Sequence, residues 1–501
     1  MAEEVQRVGV DLANVVDASG RFLTTLTWGD DVAVVERTGE QVTVRVPMLV
    51  PDNGSFTPGF RTGFIRKPTA KTLVPLGNSA PKVLKVDVVD VQQGDAALLE
   101  TPDGKTVLID GGENRLFARY LASRFRGSSA DAPRPVDCIL VTHGDADHFS
   151  GLAEIHDSET HPNATKRLFL QPRRIFHNGL VKRPSKGRKE VEMLGATEEV
   201  GGQPVIVDLV DDLLAVPTSQ MNMPFRSWRK ALEAFRDRGE DIEFRQLAQG
   251  DDDAFDFLRP SGVDVKVLGP LITDVGGKPG LKFLREPPSR VGRKPGPPRF
   301  GSLSASHTIN GHSVILHVTF GDVRFLFAGD LNEEAEHALV EAHEQGRVDL
   351  TAEVLKVPHH GAADYSSDFL SRVSPIVSVV SAGDENERKE YMHPRANLMA
   401  ALGRCARQGE ADPLIFVTEL AAFFKVEGYV TPHPDFVGGP DQTKRRKSFF
   451  AFSRAAFGLV RLRTDGKRLL VYTYSGKDDL KEAYAFKVKD GVATGDKVTK
   501  V

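Results

Sequence analysis

The sequence predicts an α/β fold in which stacked sheets carry helices on their outer faces, behind a small all-β module. Three observations carry that prediction. Apolar runs of strand length recur from Val83 onward, helical stretches separate several of them, and the first part of the chain alternates apolar and polar residues.

Val32 and Val34, then Val42, Val44 and Val46, alternate about Arg37-Thr38-Gly39-Glu40, which predicts a hairpin with a glycine-containing turn. Together with Leu26-Thr27-Trp28-Gly29-Asp30, residues 1–68 resemble a small SH3-like β-barrel. Residues 69–81, holding Pro, Gly and Asn, read as a linker. Strands are predicted at Val83–Val91, from Ala96 to Thr101 and at Lys105–Asp110, the last closed by Gly111-Gly112. A helix follows from Arg115 to Phe125, then a buried strand from Val136 to Thr142. Residues 181–305 read as an insert, with a helix from Phe225 to Arg238 and a basic, Gly- and Pro-rich loop from Gly276 to Ser306. Regular structure resumes at His312–Phe320 and Phe325–Asp330, then a helix from near Glu333. Glu353–Gly361, Ile376–Ser381, Phe457–Arg463 and Leu469–Tyr474 complete the β pattern.

A chain of 501 residues can bury a large core. It has no apolar run long enough to span a bilayer, and Met1–Gly20 lacks the pattern of a signal peptide, which predicts an intracellular, cytoplasmic protein. Cys138 and Cys405 are too few for a disulfide framework or a zinc knuckle and read as buried, inert thiols. The net charge of -4 supplies no global field that would collect nucleic acid. Arg173–Lys189, Lys278–Arg299 and Lys444-Arg-Arg-Lys447 are locally basic. Such runs are ordinarily solvated surface. Converging on one face, they would attract phosphate, with Arg173, Arg174, Lys182 and Arg183 as the candidate contacts.

The chemistry concentrates in Thr142-His-Gly-Asp-Ala-Asp-His-Phe-Ser-Gly151. His143, Asp145, Asp147 and His148 follow directly on an apolar strand, and Gly144 and Ala146 let the backbone turn tightly enough for them to converge. Crowding two carboxylates and two imidazoles is electrostatically costly unless a cation joins them. The alternative is a polar loop with helix-capping aspartates. Asp110, Asp330, His359-His360 and His393 also sit at or just beyond strand ends, and strand ends on one edge of a sandwich share a cleft.

Asp-Val-Gln-Gln-Gly-Asp95, Leu-Ile-Asp-Gly-Gly112, Thr-His-Gly-Asp-Ala-Asp-His148, Ala-Gly-Asp330, Leu-Lys-Val-Pro-His-His-Gly361 and His393-Pro394, in that order, resemble the metallo-β-lactamase superfamily. Within it they are most similar to the hydrolase domain of the ComEC competence-protein family and its soluble relatives, over roughly Val83–Tyr474. The resemblance implies a four-layer αββα sandwich across residues 82–501 and two divalent ions, Zn²⁺ or Mn²⁺. His143 and Asp145 would bind one ion, Asp147 and His148 the other, with Asp330 bridging and His360 as a later histidine ligand. His359 would line the cleft, and His393 would serve as a ligand or as proton donor to the leaving group. A further histidine ligand is implied before Asp330. His177 is the first candidate, His307 and His312 are rivals, and Asn310 or Ser313 could face the site instead. Asp95 and Asp110 would hold ligands from behind, or simply form turns beside glycine. Asp145 stands where most members carry a second histidine, which hardens the site and makes manganese more competitive. Two ions about 3.5–4 Å apart would lower the pKa of a shared water, which Asp147 would orient.

Three functions fit these residues. The first is phosphodiester hydrolysis, DNA included, with salt-dependent binding. The second is hydrolysis of a small ester, thioester or amide in an enclosed apolar pocket. The third is a non-catalytic binding module with a vestigial site, against which the complete cluster argues. The N-terminal module would either bind a protein partner or brace the fold.

Overall fold

A computed structural model describes residues 4–52, 55–239, 241–287, 300–383, 393–407, 412–419, 424–430, 449–454, 459–474 and 482–501. Between Glu4 and Pro75 the chain forms one seven-stranded antiparallel sheet with Phe22–Thr27 and Leu73–Pro75 at its edges. The hairpin is Asp31–Arg37 against Gln41–Asp52, with Val34 opposite Val44. Val8, Val15, Val32, Val42, Val44 and Ile65 form its core, as alternate residues of a strand share one face. Part of the stretch read as a linker is therefore sheet, because Leu73–Pro75 pairs with Glu4–Val8.

Two larger sheets organise the rest. The first has ten strands, among them Leu84–Val89, Ala96–Glu100, Thr106–Asp110, Cys138–Val141, Arg174–His177 and Glu243–Gln246, continued on the far side by Leu459–Thr464 and Arg468–Tyr474. The second has six: Val263–Gly269, Ile315–Phe320, Val323–Phe327, Val354–Lys356, Val377–Val380 and Leu414–Val417. Helices α1 (Leu116–Arg124), α2 (Ala146–Ser158), α3 (Met223–Arg236), α4 (Ala305–Gly311), α5 (Glu333–Glu344), α6 (Ser367–Val373) and α7 (Ala396–Cys405) connect them.

Strand alternation distributes the apolar side chains. Cys138 and Leu140 enter a core shared with Val318, Phe325 and Val354 of the second sheet. Ile139 and Val141, pointing the other way, pack with Leu121 of α1, Leu152 of α2 and Leu232 of α3. On the second sheet, Leu326 and Leu355 pack with Leu339 of α5, Phe369 of α6 and Leu402 of α7. Both faces of these strands are buried, which is why they read as unbroken apolar runs.

Thr106–Asp110, Cys138–Val141 and Arg174–His177 run parallel, as do Val323–Phe327, Val354–Lys356 and Val377–Val380. Each set delivers its C-terminal ends to one edge, and the ligand-type residues follow those ends. Residues 181–305, read as an insert, are woven into the same framework. They give Glu243–Gln246 to the first sheet, α3 to its outer core, and Val263–Gly269 to the second sheet. The stretch from Gly276, read as a loop, contains the strand Lys278–Lys282, paired with Thr273–Val275 and Gln203–Ile206. Most of the basic tract after Pro287, all of Lys444–Lys447, and the first two residues of the strand predicted from Phe457 lie outside the described residues.

The N-terminal sheet is joined to the ten-stranded sheet. Leu12 and Trp28 pack with Val83, Leu470 and Tyr472, and Arg468 donates to Asp11 at 2.9 Å. Cys138 is buried, but Cys405, at the end of α7, is only half-buried. Among the described residues no helix is long and apolar enough to cross a membrane.

Candidate metal centre

Asp110 ends its strand at φ 57°, a left-handed conformation that costs a non-glycine residue energy and is kept where the surroundings demand it. Its carboxylate accepts the Thr142 N–H and hydroxyl, both at 2.7 Å, and faces His148 Nδ1 at 2.8 Å. A carboxylate only accepts, so His148 carries a proton on Nδ1. His143 Nδ1 lies 3.2 Å from the Thr142 hydroxyl and 3.3 Å from the Ser313 hydroxyl. Those hydroxyls already donate to Asp110 and to the Asn310 carbonyl, so His143 Nδ1 must donate too. His360 Nδ1 faces the Ser381 carbonyl and Asp95 Oδ1, each at 3.2 Å. All three imidazoles therefore turn Nδ1–H toward the protein and Nε2 toward Asp330.

The inward atoms are closely spaced. His148 Nε2 is 3.2 Å from Asp330 Oδ1 and 3.4 Å from His360 Nε2. His360 Nε2 is 3.1 Å from Asp330 Oδ2 and 3.4 Å from Asp147 Oδ2. Donor atoms sharing one ion at about 2.0–2.1 Å stand about 3.4 Å apart in a tetrahedron, so these separations fit a single divalent ion. Among the described residues Asp330 Oδ1 is buried without a hydrogen-bond partner, as an atom reserved for a cation would be, and His143 Nε2, at the edge of the cage, is buried without one as well. Among the described residues Asp95, His148, Asp330 and His360 hold ligand atoms within 4.8 Å of one another. Of these, Asp95 lies behind the His360 ring, bound to the buried Lys356 ammonium.

Electrostatics agree with that geometry. Burial opposes charge on His148 and His360, yet the surrounding carboxylates, Asp330 foremost, hold both well above the ordinary imidazole range. Burial likewise opposes the Asp330 carboxylate, but His148 and His360 keep it well below the usual range. The carboxylates of Asp330 and Asp147 thus favour positive charge between the two rings, which a divalent ion would supply. His143, dominated by burial, is held well below its ordinary value and stays neutral.

Local backbone puts the groups there. Asp145 is the N-cap of α2, but its carboxylate makes no capping bond. Asp147 lies in the first turn of α2, where the helix dipole favours a carboxylate, and Gln93 Nε2 donates to it at 3.1 Å. Gly94 packs so closely that a Cβ there would lie 1.7 Å from the Asp147 carbonyl oxygen. His359 and His360 are consecutive left-handed residues, φ 48° and 52°, after the strand Val354–Lys356.

A cleft of about 450 Å³ opens over Asp147, Asp330 and His360. His359, His393, Asp145, Lys182 and Asn310 line it, together with Gln93, Asn222 and His307. Burial, then the neighbouring His360 and His359, lower His393 to about 4. Asp145 is raised by burial against the pull of Lys182, whose Nζ is 2.6 Å from Asp145 Oδ1.

Several predicted residues are elsewhere. His177 is withdrawn as a ligand: Nδ1 accepts the Gly179 N–H at 3.0 Å and Nε2 donates to the Asp211 carbonyl at 2.9 Å, so no lone pair is left. His312 Nε2 is spent on the Lys282 carbonyl at 2.7 Å. Arg173 and Arg174 are withdrawn as phosphate contacts because they stand at the start of the strand whose far end adjoins the centre, paired with Asp137 and Glu243. Arg183 is likewise withdrawn, being paired with Asp208 outside the cleft. Only Lys182 of that set lines the cleft. Lys356 and Gln93 were not singled out as site residues, although Lys356 sits in the same motif as His360.

The fold and this centre define a class: an α/β protein with a His/Asp cage able to hold a divalent ion. Residues 89–212 match the family model of the Metallo-beta-lactamase superfamily, which points to a metal-dependent hydrolase. That span contains Asp95, Asp110 and His143–His148, and the second sheet brings Asp330 and His360 to it from beyond its end. No curated protein matches the chain.

Proposed function

We propose that the chain is a metal-dependent phosphodiesterase acting on nucleic acid, DNA included, in a ComEC-like four-layer αββα sandwich. The observation that carries this reading is the lining of the cleft, where Ala146 is the one apolar residue among the described ones. A phosphodiester keeps its charge and hydrogen bonds in such a cleft. A small apolar ester or thioester calls for an enclosed apolar wall instead.

A divalent ion in the cage, Zn²⁺ or Mn²⁺, supplies Lewis-acid charge stabilisation and a water of lowered pKa. His148, Asp147, Asp330 and His360 hold it, and Asp110 and Asp95 fix the two rings. Asp147, oriented by Gln93, accepts the proton of the attacking water. Lys182 binds a non-bridging phosphoryl oxygen. His359 and His393, held neutral, offer N–H groups to the departing oxygen. The N-terminal sheet acts as a brace, through Trp28 and Asp11, and leaves its outer face for a protein partner.

The test is a substrate panel with Mn²⁺ or Zn²⁺: single-stranded DNA, duplex DNA, RNA, a cyclic dinucleotide, bis(p-nitrophenyl) phosphate and p-nitrophenyl acetate. The expected result is cleavage of phosphodiesters, with loss of at least about 100-fold in Asp330→Asn and Asp147→Ala. Cleavage of the acetate alone would exclude the phosphodiesterase reading.

A further inference from the structure

The cage fits one ion, and two of the residues expected to hold a second, Asp145 and His177, are otherwise engaged. Asp145 Oδ1 receives Lys182 Nζ at 2.6 Å. With the Asn310 amide turned so that its nitrogen donates, Asp145 Oδ2 receives it at 2.9 Å, and the same nitrogen reaches the Ser306 carbonyl at 3.1 Å. Both oxygens of Asp145 thus face donors rather than a vacant coordination position. Among the described residues His143 Nε2 is unpartnered, 3.9 Å from Asp330 Oδ2, but with Asp145 engaged it is left without the partner ligand that a second ion would share with it. His177, the first candidate for a further nitrogen ligand, has both ring nitrogens committed.

We propose that the Lys182 ammonium takes the place of the second metal ion, so that each chain binds one divalent cation. The ammonium has three N–H donors. One points to Asp145 and a second to the Ser306 hydroxyl at 3.4 Å, and Lys182 lines the cleft beside Asp147, which leaves the third for a substrate oxyanion. Lys182 thereby supplies a fixed positive charge where a second ion would stand, and Asp145 and Asn310 position it. The inference rests on the metal-centre reading and is independent of which ester is cleaved.

The experiment counts ions. Full-length protein stripped with chelator is dialysed against excess Zn²⁺, and separately Mn²⁺, and its metal content is measured by elemental analysis, with affinity from calorimetric titration. Wild type and Lys182→Arg are expected to hold one ion per chain. Lys182→Met is expected to hold two, because Asp145 becomes available beside His143. Asp145→Asn is expected to keep one ion with affinity within about threefold of wild type. Two ions in wild type, one ion in a folded Lys182→Met, or an affinity loss of tenfold or more in Asp145→Asn would each overturn the assignment. A failure of the phosphodiesterase reading would show in the substrate panel and leave these counts untouched.

Discussion

Single side chains set the centre through their second contacts. Asp110 is buried and never faces the cleft, yet it fixes which nitrogen of His148 is free. Asp110→Asn can present its amide N–H to the ring and reverse that choice. Metal affinity, measured by chelator competition, is expected to fall about 10–100-fold with little change in melting temperature. Unchanged affinity would contradict the role. His177 and His312 have the opposite character: burial lowers each to about 4, so both are stored neutral. The unfolded chain takes up protons near 6.5 and the folded chain near 4, so unfolding gains protons across that window. Stability therefore falls as pH drops from about 6.5 to about 4, by up to about 3 kcal/mol for each histidine. Urea titrations of His312→Gln should show a slope shallower by about one proton, and a slope equal to that of wild type would rule out this histidine as a source.

Strand ends, turns and one helix start convert those contacts into a cage. The loop carrying Gly94 and the first turn of α2 touch through backbone atoms, so Gly94→Ala must push them apart. Weaker metal binding and a lower melting temperature are expected together. A crystal structure of the variant with Asp147 unmoved would refute the argument. These elements also explain what the sequence could disclose. His143 to His148 were legible because six consecutive residues carry the signal. Asp330 and His360 were legible because each closes or follows an apolar strand. His177 mimicked that pattern, but a histidine at a strand end can equally bind backbone, as it does with Asp211. The pairing of Lys182 with Asp145 spans 37 residues and leaves no periodic mark. The alternation Val263-Asp-Val-Lys-Val267 was a strand signal hidden inside a region read as an insert.

Across the chain, the centre depends on two sheets meeting over one core, since Asp110 and His148 come from the first sheet's side and Asp330 and His360 from the second's. The N-terminal sheet contributes to that rigidity by covering Leu470 and Tyr472. Trp28→Ala is expected to cost about 3 kcal/mol of unfolding free energy, since it empties the middle of this contact. A loss under about 0.5 kcal/mol would mean that the two parts are energetically separate.

The central claim is that His148, Asp147, Asp330 and His360 enclose a divalent ion. Anomalous diffraction from crystals grown with Zn²⁺, recorded at the zinc edge, tests it directly. The predicted result is a peak bounded by the Nε2 atoms of His148 and His360 and the carboxylates of Asp330 and Asp147. Well-ordered density for those four side chains with no peak among them would contradict it.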